Sequence, residues 1–410
     1  MGSLEDAFGL IESGMEDMIF FLSEIISIPA VGPLSGGNGE QEKADRIESI
    51  ISGWGFHEVI HHDAEDDKVS SGRRPNIEIR LKGRDSSRRI VILAHMDVVP
   101  AGEPKLWSGD PFRLRREGDK LIGRGVEDNG QALTASLFAL KVLRELNIRP
   151  QYDVSLFLVS DEEETNKKGI GHLLGKGLFR KSDLILVPDH GEPEGKVIEL
   201  CEKTLLWVKV TVRGKQCHAS MPGLGANAFR ASMLFGTDVD GVLHERFKRF
   251  DPSFDHPVSS FEPTKKGPGV DGINVLPGED VFYMDCRLLP GYTVDEILET
   301  MRDVADEVGR RTGTTITVEK EFSETTEYPT PPDAEVVKLL SAAIRKATGK
   351  DHVSGGIGGG TCAALLRNNG FQVAVWETIL NRAHSSDEYI LVENLIRDCK
   401  VFAALFTGDQ

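Results

Sequence analysis

The feature that most restricts the fold is the run Val91-Ile92-Leu93-Ala94, which leads straight into His95-Met96-Asp97. A short apolar run bounded by polar residues reads as a strand buried on both faces, as in a parallel sheet. Open α/β sheets gather ligands at the carboxyl ends of their strands, so His95 stands where a metal ligand would. Residues two apart on an extended chain point to one side. Asp97 is therefore expected to accept a hydrogen bond from the imidazole nitrogen that does not face the metal. One His-x-Asp is more often a satisfied structural pair, but the pattern recurs. The apolar run 153–160 ends in Asp161-Glu162-Glu163-Glu164, the run 183–188 ends in Asp189-His190, and Val373-Ala374-Val375-Trp376 is followed by Ala383-His384-Ser385-Ser386-Asp387-Glu388. Four strand-like runs each deliver a carboxylate or imidazole past their ends, which chance placement does not readily explain.

The rest of the chain organises around these runs. Apolar residues at helical spacing predict a helix over 13–28, ended by Pro29, and another over 40–51. Segments 76–81 and 90–94 read as neighbouring strands. The glycines of Gly123-Arg124-Gly125-Val126-Glu127-Asp128-Asn129-Gly130 predict an irregular turn into a helix over 131–146. Asp128 there is either a helix N-cap or a carboxylate with both oxygens aimed into a metal site. From about Leu205 the character changes, with Val208, Val210 and Val212 alternating against Trp207, Lys209 and Thr211. The block 205–322 reads as β-α-β-α. With 410 residues, two domains are expected: a catalytic domain over 1–204 and 322–410, and an inserted α+β domain over 205–321.

A net charge of -17 argues against nucleic acid or an anionic membrane as the main partner. The five cysteines are scattered without a C-x-x-C, which points to reduced thiols in a cytoplasmic setting and away from a cysteine zinc site. No basic region precedes an apolar core at the N-terminus, so no signal peptide is expected. Asp6 stands where N-myristoylation would want Ser or Thr. No apolar run is long enough for a membrane span.

The motifs AHMDVVP (94–100), GRGVEDN (123–129), SDEEE (160–164), PDHG (188–191), CHASMPGLGANA (217–228) and AHSSDE (383–388) together resemble the M20 metallopeptidase and deacylase family. That group includes succinyl-diaminopimelate desuccinylase, acetylornithine deacetylase and dinuclear-zinc dipeptidases. The resemblance implies an α/β fold: a mostly parallel-sheet zinc-peptidase domain with an inserted ferredoxin-like lid and dimerisation domain. It implies two zinc ions per subunit, with cobalt or manganese as substitutes. Asp128 would bridge them, His95 and Asp189 would complete one site, and Glu163 and His384 the other, with His190 competing with Asp189. Glu162 is implied as the general base, although an acidic run such as 161–164 is ordinarily a solvated loop. His218 is implied as an oxyanion donor acting across a homodimer, against the plain alternative of a turn histidine.

Arg287 and Asn274 are candidates for a substrate carboxylate; a surface strand arginine is the equal alternative for Arg287. The segment Gly355-Gly356-Ile357-Gly358-Gly359-Gly360-Thr361 precedes a short helix, and Gly359, Gly360 and Thr361 are candidates for holding an anion, or simply for a tight turn. The segment lacks the lysine of a nucleotide-binding P-loop. One departure is that Asn129-Gly130-Gln131 stands where many members carry Asp-Lys-Gly. The expected function is removal of the acyl group from a small N-acyl amino acid. Dipeptide or carboxypeptide cleavage is the alternative, and a non-catalytic metal-binding protein is the remote one.

Overall fold

The computed structural model describes residues 2–408 apart from 57, 255, 326 and 327. The chain divides into two compact units, one of residues 1–200, 328–354 and 361–410, the other of 201–327 and 355–360. No helix among the described residues is long and apolar enough to cross a membrane.

The first unit is built on an eight-stranded sheet. Its order is Glu58–His61, Ile77–Leu81, Tyr152–Val159, Asp85–His95, Asp183–Gly191, Val373–Glu377, Val197–Glu202, Val353–Ile357. The four runs singled out in the sequence are four consecutive, mutually parallel strands at its centre. Their carboxyl ends therefore share one edge of the sheet. Antiparallel pairs flank them, so the sheet is mixed.

These strands are apolar at successive positions because both faces are covered. Ile90, Ile92, Ala94, Leu156, Leu158 and Leu186 pack with the helices Gln131–Glu145, Glu335–Thr348 and Val392–Thr407. Val91, Leu93, Phe157, Val159, Ile185 and Val187 pack on the other face with Ile170–Gly175 and Cys362–Asn368. Each such side chain removed from water contributes roughly 1.5–3 kcal/mol.

One expectation is corrected in this unit, and one element is added. Strands 77–81 and 85–95 are not neighbours, because Tyr152–Val159 hydrogen-bonds between them. The helix expected over 13–28 is Met15–Ile26, the second of two helices: Leu4–Ser13, absent from the sequence reading, precedes it across Gly14. The first is capped by Ser3, whose hydroxyl accepts from the Asp6 amide.

The second unit is a four-stranded antiparallel sheet in the order Ser260–Lys266, Glu279–Leu288, Thr204–Arg213, Thr315–Glu324. Helices Ala228–Arg246 and Val294–Thr312 share a core with Leu206, Val208, Val210, Val212, Met284 and Leu288 from the sheet. The chain order is β-α-β-β-α-β, the ferredoxin-like arrangement, and not the β-α-β-α of the sequence reading. The two strands missing from that reading form the sheet edges: Thr315–Glu324, and Ser-Phe-Glu-Pro-Thr-Lys-Lys, which buries only Phe261. Helix Val294–Thr312 is fixed locally at both ends, by a Thr293–Glu296 capping box and by Gly313 at φ 69°.

Candidate metal centre

The strand ends and one turn of the first unit bring two groups of ligand atoms together. His95, Glu162 and Asp189 form one; Asp128, Glu163 and His384 form the other; within each, the ligand atoms lie within 4.8 Å of one another. Asp128 faces both. Its Oδ1 is 2.8 Å from His95 Nε2, and its Oδ2 is 3.0 Å from His384 Nε2. His95 Nε2 is also 3.3 Å from Asp189 Oδ1, and His384 Nε2 is 3.1 Å from Glu163 Oε2. His190 belongs to neither group. Asp128 does not cap the following helix, whose N-cap position is Gly130 with no side-chain cap.

Asp97 does a different job from the one expected. His95 Nδ1 lies 3.1 Å from the Asp97 main-chain carbonyl and 3.6 Å from its carboxylate. The carboxylate instead accepts the amides of Glu162 at 3.2 Å and Glu163 at 3.0 Å. A strand-end turn exposes consecutive amides, and a buried carboxylate satisfies them better than one imidazole would. The acidic run is likewise not a solvated loop. Asp161 lies 3.6 Å from buried Arg74, and Glu164 accepts the amides of Leu34 and Ser35.

The electrostatics follow from burying several carboxylates side by side. Burial alone would lower the basicity of His95, but the facing carboxylates of Asp128, Asp189 and Asp97 outweigh it and leave the imidazole well above its ordinary range. Burial and the neighbouring Asp128 push the Glu163 carboxyl up to about 7, despite His384. Asp128 and Glu163 push His384 up to about 10. Burial, followed by Asp189, raises Glu162 well above the usual carboxylate range. For Asp128, burial works upward but His384 and His95 hold the group well below its ordinary value. Crowded carboxylates that retain protons or share imidazolium protons fit a site that takes divalent cations. The donor set, imidazole and carboxylate without thiolate, suits zinc or a similar ion.

Three surrounding groups were not singled out in the sequence. Asn129 Nδ2 donates to Pro188 O at 2.6 Å and to Asp189 Oδ1 at 3.2 Å, which orients a ligand. Glu127 accepts main-chain amides of Leu380, Arg382 and Ala383. Glu388 accepts those of Gly125, Glu127 and Asp128. Glu127 and Glu388 lay within the quoted motifs, and their adjacency to ligands was the available signal. In the departure at 129–131, Gln131 Nε2 donates to Thr378 O and Asp398 Oδ2, each at 2.7 Å.

The remaining candidates are not part of this cluster of ligands. In the second unit, the Ser220 amide donates to His218 Nδ1 at 3.2 Å, which places the proton of a neutral ring on Nε2. Asn274 O accepts the Ala219 amide beside it. The Arg287 fork is engaged by Asp285 at 2.7 and 3.1 Å, and its Nη1 donates to Gly358 O at 3.1 Å. Gly359 and Gly360 are exposed. Thr361, in the first unit, caps the helix Cys362–Asn368 through a bond from the Ala363 amide.

The model of peptidase family M20/M25/M40 matches residues 91–407. An uncharacterised metallohydrolase of Methanococcus maripaludis is 35% identical over 95% of this chain and 99% of its own. A succinyl-diaminopimelate desuccinylase of Gluconobacter oxydans is 27% identical over 96% and 97%. Among solved structures, human carnosine dipeptidase 1 superposes with a TM-score of 0.76 at 18% identity, covering 99% of this chain and 98% of that one.

Proposed function

The chain belongs to peptidase family M20/M25/M40 and is a metal-dependent hydrolase of peptide or amide bonds, and from that premise we propose that it removes the acyl group from small N-acyl amino acids with two zinc ions. The observation that carries the reading is Asp128, whose two oxygens face two separate ligand groups. His95 and Asp189 would hold one ion, Glu163 and His384 the other. Divalent ions held there polarise the amide carbonyl and raise the acidity of nearby water.

The chain's own groups do the rest. Glu162 takes the proton of the attacking water and delivers it to the departing amine nitrogen. A carboxyl raised by burial and by Asp189 is suited to hold that proton near neutral pH. Asp97 keeps the Glu162–Glu163 main chain in place through two amides. His218, with its proton on Nε2, is the donor to the carbonyl oxygen as negative charge develops there, and serves the neighbouring subunit of a homodimer. The second unit supports such an assembly: Ser260–Lys266 is an edge strand, and helix Ala228–Arg246 exposes Phe229 and Met233 beside a groove of about 350 Å³. Asn274, Gly359, Gly360 and Thr361 are assigned to substrate recognition. The five scattered cysteines, without a C-x-x-C, support a cytoplasmic setting.

The desuccinylases among its relatives support the deacylase reading. Dipeptide cleavage is the second reading, supported by the likeness in fold to human carnosine dipeptidase 1. Turnover on N-succinyl and N-acetyl amino acids beside dipeptides tests both. Hydrolysis of the N-acyl series supports the proposal, dipeptides alone would favour the second reading, and an inert metal-replete enzyme would overturn both.

A further inference from the structure

Three of the ligands, His95, Glu163 and Asp189, stand on strands of the central sheet or on the turn directly after one. Asp128 and His384 do not. Asp128 lies in the turn Val126–Gly130, and His384 in the loop between Val373–Glu377 and Tyr389–Leu391. A short ladder pairs Tyr389–Leu391 with Lys120–Ile122 at one end of each loop, but both ligands lie beyond it, and their side chains approach to 3.0 Å.

Two carboxylates tie the loops together, in opposite directions. Glu127, on the Asp128 loop, accepts the Leu380 amide at 2.5 Å, the Arg382 amide, and the Ala383 amide at 2.8 Å. Glu388, on the His384 loop, accepts the amides of Gly125 at 3.0 Å, Glu127 at 2.9 Å and Asp128 at 3.2 Å, and the Arg124 guanidinium at 2.6 Å. Both glutamates are buried. The His384 loop also holds Asn381, His384 and Asp387 at φ 58°, 62° and 51°. Side chains other than glycine avoid that region, so the loop persists only where its surroundings hold it.

We infer that Glu127 and Glu388 are reciprocal positioning residues, which hold the Asp128 and His384 loops in register and so set the affinity of the ion shared by Asp128, Glu163 and His384. Each carboxylate offers both oxygens to main-chain donors. A carboxamide offers one, and turns an N–H against amides that also donate. The inference rests on the dinuclear reading above.

The test is cobalt(II) titration of metal-stripped full-length protein, followed by calorimetry and visible absorption. The step lost in His384→Ala identifies the shared ion. Glu127→Gln is expected to weaken that step about 10–100-fold while the His95–Asp189 step moves by less than about threefold. Glu388→Gln, which releases Asp128 itself, is expected to weaken both steps. Glu78→Gln is the control: it removes another fully buried carboxylate, one that accepts from Ser155, Arg80 and Arg89 outside the two loops, and should cost stability while leaving both steps intact. If Glu127→Gln does not fold, Glu127→Asp, which keeps the charge and shortens the reach, is read in the same way. Unchanged binding in the Glu127 and Glu388 variants, or equal weakening in Glu78→Gln, overturns the inference. Fewer than two ions in the wild type would overturn the dinuclear reading instead.

Discussion

Replacing Arg74 by Met should destabilise the first unit in a way that depends on pH. Arg74 is buried and donates through Nε to Glu40 Oε2 at 2.6 Å and through Nη2 to the other Glu40 oxygen. Its Nη1 lies 3.6 Å from both Asp66 and Asp161. Without it, Glu40 keeps the Asp161 amide at 3.3 Å but no cationic partner among its hydrogen bonds to the described residues. Burial is already the largest influence on Glu40 and raises its pKa, and Arg74 is the group that opposes that rise. Stripped of its partner at pH 7, the buried carboxyl must take a proton or stay charged and unpaired. Protonating a group of ordinary pKa ~4.5 at pH 7 costs about 3.4 kcal/mol, in line with the roughly 3–5 kcal/mol for breaking a buried pair.

The sign follows from the direction of the shift. In the variant, Glu40 has a folded pKa above its unfolded value, so the fold binds the extra proton and regains stability as pH falls toward the unfolded value. The deficit should shrink between pH 7 and pH 5, by at most about 2.7 kcal/mol, because wild-type Glu40 is itself raised and binds part of a proton there. For a unit of roughly 280 residues, 3–4 kcal/mol corresponds to a Tm lowered by about 6 °C. Denaturant melts of wild type and Arg74→Met at both pH values check this. A deficit that is the same at pH 5 and pH 7, or below about 1 kcal/mol at pH 7, would refute the reasoning.

Glu162→Gln should keep its metal and fold but lose about 10²–10⁴-fold in kcat, measured on metal-replete protein; near-normal turnover would remove Glu162 from its role. Mixing Glu162→Gln with His218→Ala under subunit exchange should restore activity, since one site of each mixed dimer would then be intact; no recovery despite proven exchange would refute action across subunits. Metal affinity should rise with pH. In the metal-free protein Glu163 titrates near about 7 and His384 near about 10, so at neutral pH an incoming ion displaces protons. Calorimetry in buffers of different ionisation enthalpy measures that release, and an affinity flat with pH contradicts it.

The metal-bearing edge was legible because parallel strands are buried on both faces: Val91-Ile92-Leu93-Ala94 is continuously apolar, and its end is abrupt. Pairing order was not legible. Nothing local in Ile77–Leu81 or Asp85–His95 shows that Tyr152–Val159 lies between them. Ser260–Lys266 escaped because an edge strand with Pro263 and exposed lysines has no alternation to detect. The partners of Asp97, Glu127 and Glu388 are main-chain amides, several of them hundreds of residues away. A main-chain donor has no signature in the identity of its residue, so these carboxylates could be placed near the site but not given their jobs.

The central claim is that catalysis depends on two ions held around Asp128. The direct measurement is metal content and amide-bond turnover on one sample, before chelation, after it, and as zinc or cobalt is returned. The account predicts two ions per chain at saturation, no turnover in stripped protein, and recovery with added metal. Full turnover by protein shown to carry no metal would contradict it.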